Sequence, residues 1–108
     1  MTHVENMHMI IALRDDLDSI SAILNETFEI PAFKRSYDEA FGKIAQILYR
    51  YGIMENARNL RFRFILCMQE FYDGIPQDQW RIKDPRFVKQ SEDFGIAKFR
   101  EWIIEQLI

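Results

Sequence analysis

The side chains of this chain that are able to do chemistry are few and scattered. His3 and His8 are five residues apart, which separates them by about 140° on a helix and keeps them from sharing a metal ion. The single cysteine, Cys67, lies far from both histidines, whereas a thiol nucleophile needs a polarising base beside it. Glu70 and Asp73 are close in sequence, but paired carboxylates also need an enclosed cleft to work as acid and base. These residues do not predict a catalytic site.

Spacing also argues against a nucleotide site and a calcium site. The four glycines, at positions 42, 52, 74 and 95, are too far apart to form a phosphate-binding loop. The run Asp15-Asp16-Leu17-Asp18 lacks the glycine and the distal glutamate of a calcium-binding loop. We therefore predict that the protein is not an enzyme and that it uses neither a cofactor nor a metal ion.

Length and composition indicate one soluble domain. With 108 residues, of which 48% are hydrophobic and 29% are charged, the chain can build one core but not two. A single cysteine cannot form an internal disulfide, and residues 1–6 lack the basic and apolar regions of a signal peptide. Apolar runs such as 64–68 are far shorter than a membrane span. We expect a single helical domain over residues 1–108, located in the cytoplasm and without membrane contact.

A first helix is predicted from about Thr2 to Leu24. Thr2 and Glu5 form a capping box at its start, and the apolar residues behind them recur at spacings of three and four, which places them on one stripe. That stripe consists of Ile10, Leu13, Leu17, Ile20 and Leu24. Residues 25–30 are predicted to form a loop.

A second and a third helix follow from similar signals. Ser36 and Glu39 form another capping box, and Gly52 is placed to end the second helix in a left-handed conformation. The third helix is predicted from Asn56 to Tyr72, and its apolar surface is wider than one stripe. The residues that widen it are Phe62, Ile65, Leu66 and Met68. This width predicts a central helix that is contacted on two sides.

The last segment, residues 85–108, is predicted to be one helix interrupted near Gly95 or two shorter helices. Asp84 and Pro85 are typical of an N-cap and of the first helical position. Because the connections are short, successive helices should be antiparallel neighbours. The predicted fold class is all-α, a compact bundle of four to five antiparallel helices.

The distribution of charge suggests a function in protein binding. The net charge of −3 divides into −5 over residues 1–30, +4 over 31–63 and −2 over 64–108. An acidic surface of this kind is typical of proteins that bind and neutralise a basic partner. The first hypothesis is an immunity- or antitoxin-type inhibitor of a basic partner such as a nuclease toxin. Its candidate contacts are Asp15, Asp16, Asp18, Glu26 and Glu29, with Trp80 and Trp102 as apolar anchors.

Three alternatives stay open. The chain could be a regulatory or adaptor domain that contacts nucleic acid through Lys34, Arg35, Arg58 and Arg61, although an acidic chain is a poor general binder of phosphates. The acidic first helix could also simply pack near the basic middle of the chain, with no partner involved. Association of identical chains into a homo-oligomer is the third alternative.

Overall fold

Four α-helices make up most of the chain. The computed structural model describes residues 3–107, with side chains described from position 10 onward. The helices are α1 (His3–Glu29), α2 (Tyr37–Tyr49), α3 (Ala57–Asp73) and α4 (Pro85–Leu107). Residues 3–107 contain no β-strand, so the predicted all-α bundle is confirmed, with four helices. Two single-turn 3-10 helices, Ala32–Lys34 and Gln77–Gln79, lie in the connections.

The four helices form a closed ring in which each packs against the next. α1 adjoins α2 and α4, and α3 also adjoins α2 and α4, so α1 and α3 lie diagonally across the core. Tyr51, just after α2, reaches back to Asp16 on α1, and Arg100 on α4 reaches Asp18. Because Arg35, just before α2, holds the Phe28 carbonyl near the end of α1, whereas Tyr51, just after α2, reaches the middle of α1, α2 runs antiparallel to α1. On the other side of the bundle, Tyr72 meets Ser91 and Phe64 meets Phe99, so α3 and α4 are antiparallel as well.

Phenylalanine rings fill the middle of this ring of helices. Phe41, Phe64 and Phe99 come from α2, α3 and α4, and their centroids lie 5.7 to 6.3 Å apart in tilted or edge-to-face pairs. Phe28 from the end of α1 completes the group at 5.8 Å from Phe64. Edge-to-face pairs add stabilisation beyond the area they bury, so one aromatic contact from every helix holds the centre of the bundle.

The ends of α2 match the sequence prediction. The Ser36 hydroxyl accepts a hydrogen bond of 3.3 Å from the Glu39 backbone N–H, which is one of the two bonds of a capping box, whereas the Glu39 carboxylate lies 3.7 Å from Lys43. Gly52 adopts a φ of 79°, a conformation that favours glycine because it has no Cβ. The Ile53 N–H then donates to the Leu48 carbonyl at 3.2 Å, which closes the helix end.

The first helix is longer than predicted at its C-terminal end. Residues 25–29, predicted as a loop, continue α1 as far as Glu29. Thr27 is buried and its hydroxyl donates to the Ile23 carbonyl at 2.7 Å, so this polar residue fits inside the helix. The carbonyl of Phe28 is satisfied by the Arg35 guanidinium at 2.8 Å, a contact from outside the helix that local sequence signals do not reveal. The capping box at Thr2 lies outside the described residues.

One member of the predicted α1 stripe is not in the core. Ile10 is 66% exposed, whereas Leu17, Ile20 and Leu24 of the same stripe are buried. Among the described side chains of α1, Leu13 is the first that packs against the core, so Ile10 lies beyond the packed part of the bundle.

The last segment is one continuous helix that passes through Gly95. Asp84 caps it, since its carboxylate accepts from the Arg86 N–H at 2.9 Å. Gly95 is buried against α3, and a Cβ built there would overlap Met68 Cγ and lie 3.3 Å from Phe64 Cζ. The glycine therefore allows two helices to approach closely and does not interrupt α4, which rules out the prediction of two short helices.

Gly95 and Gly42 provide a matched pair of substitutions that tests this packing. Gly42 lies in α2 with nothing within 4 Å of a built Cβ, so Gly42→Ala should raise the free energy of unfolding by about 0.5–1 kcal/mol. Gly95→Ala should lower it by about 1 kcal/mol or more, because overlap with Met68 outweighs the gain in helix propensity. Urea denaturation followed by circular dichroism measures both values. An equal gain from the two substitutions would contradict the close contact of α3 with α4.

Candidate interaction surfaces

The outward side of α1 carries an acidic stripe. Asp15, Asp18, Glu26 and Glu29 are all exposed and, at 100° per residue, fall within an arc of about 80°. The buried residues of α1 lie on the opposite side of the helix. From Asp15 to Glu29 the stripe is about 21 Å long. We call these four residues the acidic face of α1.

Asp16 lies outside the acidic face. Its carboxylate accepts a hydrogen bond from the Tyr51 hydroxyl and is 3.6 Å from the Arg50 guanidinium. Burial, and then the bond to Asp16, raise the pKa of Tyr51 from its ordinary 10 to about 12. Asp16 thus joins α1 to the end of α2, and its carboxylate is engaged within the chain.

Asp18 lies at the edge of the acidic face, where it joins α1 to α4. Arg100 donates to its carboxylate at 3.0 Å and to the Ser21 hydroxyl at 2.9 Å. The carboxylate remains mostly exposed, so the attraction is screened by water and the pair contributes at most about 1 kcal/mol. Asp18 remains accessible to a partner, with part of its charge balanced by Arg100.

The two tryptophans proposed as anchors serve the packing of α3 and α4. The Trp80 indole N–H donates to the Tyr72 and Ile75 carbonyls at 3.2 and 3.0 Å, which satisfies backbone groups at the end of α3. Its ring packs edge-to-face on Tyr72 at 5.1 Å. Trp80 is therefore half-buried, and it stabilises the connection between α3 and α4.

Trp102 lies in a groove between α3 and α4. Its ring stacks on Phe99 at 5.8 Å with an interplanar angle of 9°, and the Arg63 guanidinium lies 5.3 Å from its centroid. Phe62 lines this groove as well, and Leu66 lines a second groove on the other side of Arg63 and Trp102. Trp102 therefore belongs with the side chains of α3, which lies diagonally across the bundle from α1, and not with the acidic face.

Two of the four basic residues proposed for nucleic-acid contact hold the fold together. Arg35 donates to the Ile30 carbonyl at 2.7 Å, to the Phe28 carbonyl at 2.8 Å and to the Tyr37 hydroxyl at 3.1 Å. These contacts close the C-terminal end of α1, where cations are favourable. Arg61 lies over the Tyr37 ring at 4.6 Å.

The other two basic candidates, Lys34 and Arg58, are exposed on different elements. Lys34 lies in the 3-10 turn after α1, and Arg58 lies in the first turn of α3. A groove that tracks a phosphate backbone needs basic side chains in a row. The four residues do not provide such a row, because Arg35 and Arg61 face their own aromatic and carbonyl partners.

The outward side of α3 carries large apolar residues that the sequence predicted to be covered. Phe62, Ile65 and Leu66 are 61%, 47% and 39% exposed. α3 is contacted by α2 and α4 on its flanks, as predicted, but the described residues do not cover its outer side. We call these three residues the apolar face of α3. The sequence showed that these three residues lie beside the main apolar stripe of α3. It did not show that this side of the helix would be exposed.

Of the side chains first considered for catalysis, His3 and His8 lie outside the described side chains, and Cys67 and Glu70 line one groove. Cys67 is buried, and burial followed by the charge of Glu70 raises the pKa of its thiol to about 11. Among the described side chains, no group of three or more His, Cys, Asp and Glu residues is arranged to hold a metal ion. None of the four helices, as far as it is described, combines the length and apolarity needed to cross a bilayer.

Comparisons of the chain with protein-family models, with curated proteins and with solved structures find no match.

The Tyr51–Asp16 bond predicts a loss of stability at high pH. The raised pKa means that folding favours the neutral phenol, so the stabilisation is complete below pH 10 and is lost as the pH rises towards about 12. Tyr51→Phe lacks this ionisation, and its free energy of unfolding should fall less steeply between those pH values. Urea titrations at pH 8 to 12 measure the two slopes. Parallel slopes would show that Tyr51 ionises as freely as in the unfolded chain.

Cys67 should react slowly with alkylating reagents. With its pKa raised from 9.0 to about 11, the thiolate fraction at pH 8 is about 100-fold lower than that of an ordinary thiol. The rate of iodoacetamide modification, followed by mass spectrometry, measures this. The same chain unfolded in urea is the control and should react at the ordinary rate. Equal rates in the two states would refute the buried placement of the sulfur.

Proposed function

We propose that this chain is a small interaction protein of the immunity or antitoxin type, which binds and neutralises a basic partner such as a nuclease toxin. The acidic face of α1 is the observation that supports this proposal best. It places four carboxylates along about 21 Å of one rigid helix. A nuclease holds its substrate with basic residues, and a surface of opposite charge both attracts such a protein and blocks the groove.

The charges of the acidic face lie close enough to act together. Asp15 and Asp18 are one turn apart, as are Glu26 and Glu29, and each pair lies within the screening length of about 8 Å at physiological salt. A partner with two clusters of Lys or Arg at a matching separation would engage both pairs. The association rate constant would then be high and would fall as the salt concentration rises.

The remaining chemistry of the described residues fits binding better than catalysis. The one thiol is buried and protonated at neutral pH, and a nucleophile has to be ionised and accessible. Of the residues proposed for nucleic-acid contact, Arg35 and Arg61 are held by Tyr37 and by the end of α1. We therefore favour a protein partner over nucleic acid.

Charge reversal on α1 tests the proposal without disturbing the fold. Asp15→Lys, Glu26→Lys and Glu29→Lys together reverse three of the four charges of the acidic face. Asp18 and the neighbouring Asp16, which tie α1 to other helices, are kept. Binding to purified basic nuclease domains, and inhibition of their cleavage of nucleic acid, should both weaken by at least about tenfold, which corresponds to about 1.4 kcal/mol.

The matched control carries the same change in net charge at exposed positions away from α1. These positions are Asp38, Asp78 and Glu105, each replaced by Lys. The control should bind as the wild type does, and wild-type binding should weaken as salt rises. Equal affinity of the two triple variants, or no inhibition of any basic nuclease by the wild type, would refute the proposed function.

A further inference from the structure

The apolar face of α3 has no partner among the described residues. Phe62, Ile65 and Leu66 lie next to one another on successive turns, and the Trp102 groove continues the surface on one side. Aromatic residues and arginine are enriched in protein–protein contacts, and Arg63 lies over Trp102 at the rim. Large apolar side chains that stay together in water mark a contact surface.

The spacing of residues on this side suits packing against another helix. Positions 58, 62, 65 and 69 are separated by four, three and four residues, the spacing of a seam between two helices. All four positions are exposed. A straight helix laid along them would cover Phe62 and Ile65 in the middle and meet Arg58 at one end.

The charges at the two ends of α3 indicate which helix would lie there. Arg58 and Asp73 are exposed and equidistant along α3 from the point between Ile65 and Leu66. A two-fold axis through that point places Arg58 of each chain opposite Asp73 of the other, which gives two equivalent pairs. It also brings the apolar residues of the two chains together. A parallel arrangement would instead place Arg58 against Arg58, which is repulsive.

The contacts of the described residues do not account for these two charges. Arg58 is in the first turn of α3, which contains no acidic residue, and Asp73 is its last residue, in a turn that contains no basic residue. The Asp73 carboxylate accepts from the Gln69 amide at 3.0 Å, a neutral donor that leaves its charge unbalanced. The helix dipole favours the opposite arrangement, with acidic residues first and basic residues last. In a pair of chains, the charges that are unfavourable for the dipole of their own helix form two attractive contacts with the other chain.

We propose that two copies of this chain form a symmetric dimer through α3, with the two helices antiparallel and the apolar faces in contact at the two-fold axis. Arg58 of each copy pairs with Asp73 of the other. Because α1 lies diagonally opposite α3 in the ring of helices, the acidic faces point away from the interface. The dimer therefore presents two acidic faces at once, and its existence does not depend on the function proposed for them.

Sedimentation equilibrium tests whether the dimer exists. The wild type should approach twice the chain mass of 13.0 kDa as its concentration rises, and Phe62→Glu should remain a monomer. The matched control is Ile82→Glu, because Ile82 is 62% exposed and Phe62 is 61% exposed; this variant should dimerise normally. Circular dichroism checks that both variants fold. A monomeric wild type up to about 1 mM, where even a millimolar dissociation constant is visible, would overturn the proposal, as would a dimer that Phe62→Glu leaves intact.

A charge exchange tests the antiparallel register. Arg58→Glu and Asp73→Arg should each weaken self-association by at least about tenfold, because each places like charges together. Mixing the two variants should restore a dimer. At one end the introduced carboxylate at position 58 then faces the introduced guanidinium at position 73, and at the other end the native Arg58 faces the native Asp73. Both changes agree with the helix dipole, so neither should unfold α3. Unchanged dimerisation of the single variants, or no recovery in the mixture, would overturn the register.

Discussion

α3 and α4 share the most extensive contact between helices in the described part of the chain, and this contact is unusually close. Gly95 lets the two helices approach until Phe64 and Met68 fill the space where a side chain would otherwise lie. That approach brings Phe99 against Phe64 at 5.7 Å, and α1 and α2 add their own rings around this pair. Interiors packed at this density tolerate little change in volume, so the close approach of α3 and α4 depends on one small residue.

The same packing separates the two surfaces that the chain offers. α1 and α3 are diagonal members of the ring, and each therefore has an outward side that no neighbouring helix covers in the described part of the chain. Polar contacts between elements engage some of the other charges: Asp16 is held by Tyr51, and Arg35 by the end of α1. The acidic face of α1 and the apolar face of α3 lie on different sides of the bundle, so a contact at one would leave the other open.

Local signals in the sequence were sufficient for most helix ends and insufficient for the surfaces. Ser36 and Gly52 act within a few residues of the ends they define, so their types alone predicted α2. The end of α1 depends on Arg35, which reaches back to carbonyls seven and five residues earlier, and no periodicity reports such a contact. The exposure of Phe62 was also missed, because a wide apolar stripe shows that a helix is hydrophobic without showing which side meets a neighbour.

The two tryptophans lie at different places along the α3–α4 pair, and this gives the protein two internal fluorophores with separate surroundings. Trp80 is hydrogen-bonded beside Tyr72 near the end of α3, whereas Trp102 is stacked on Phe99 beside Arg63. Along α3 the two sites are about 13 Å apart. Emission from Trp80 reports on the connection between the helices, and emission from Trp102 reports on the opposite end of their contact. A chain that keeps a single tryptophan thus reveals which end of this helical pair opens first during unfolding.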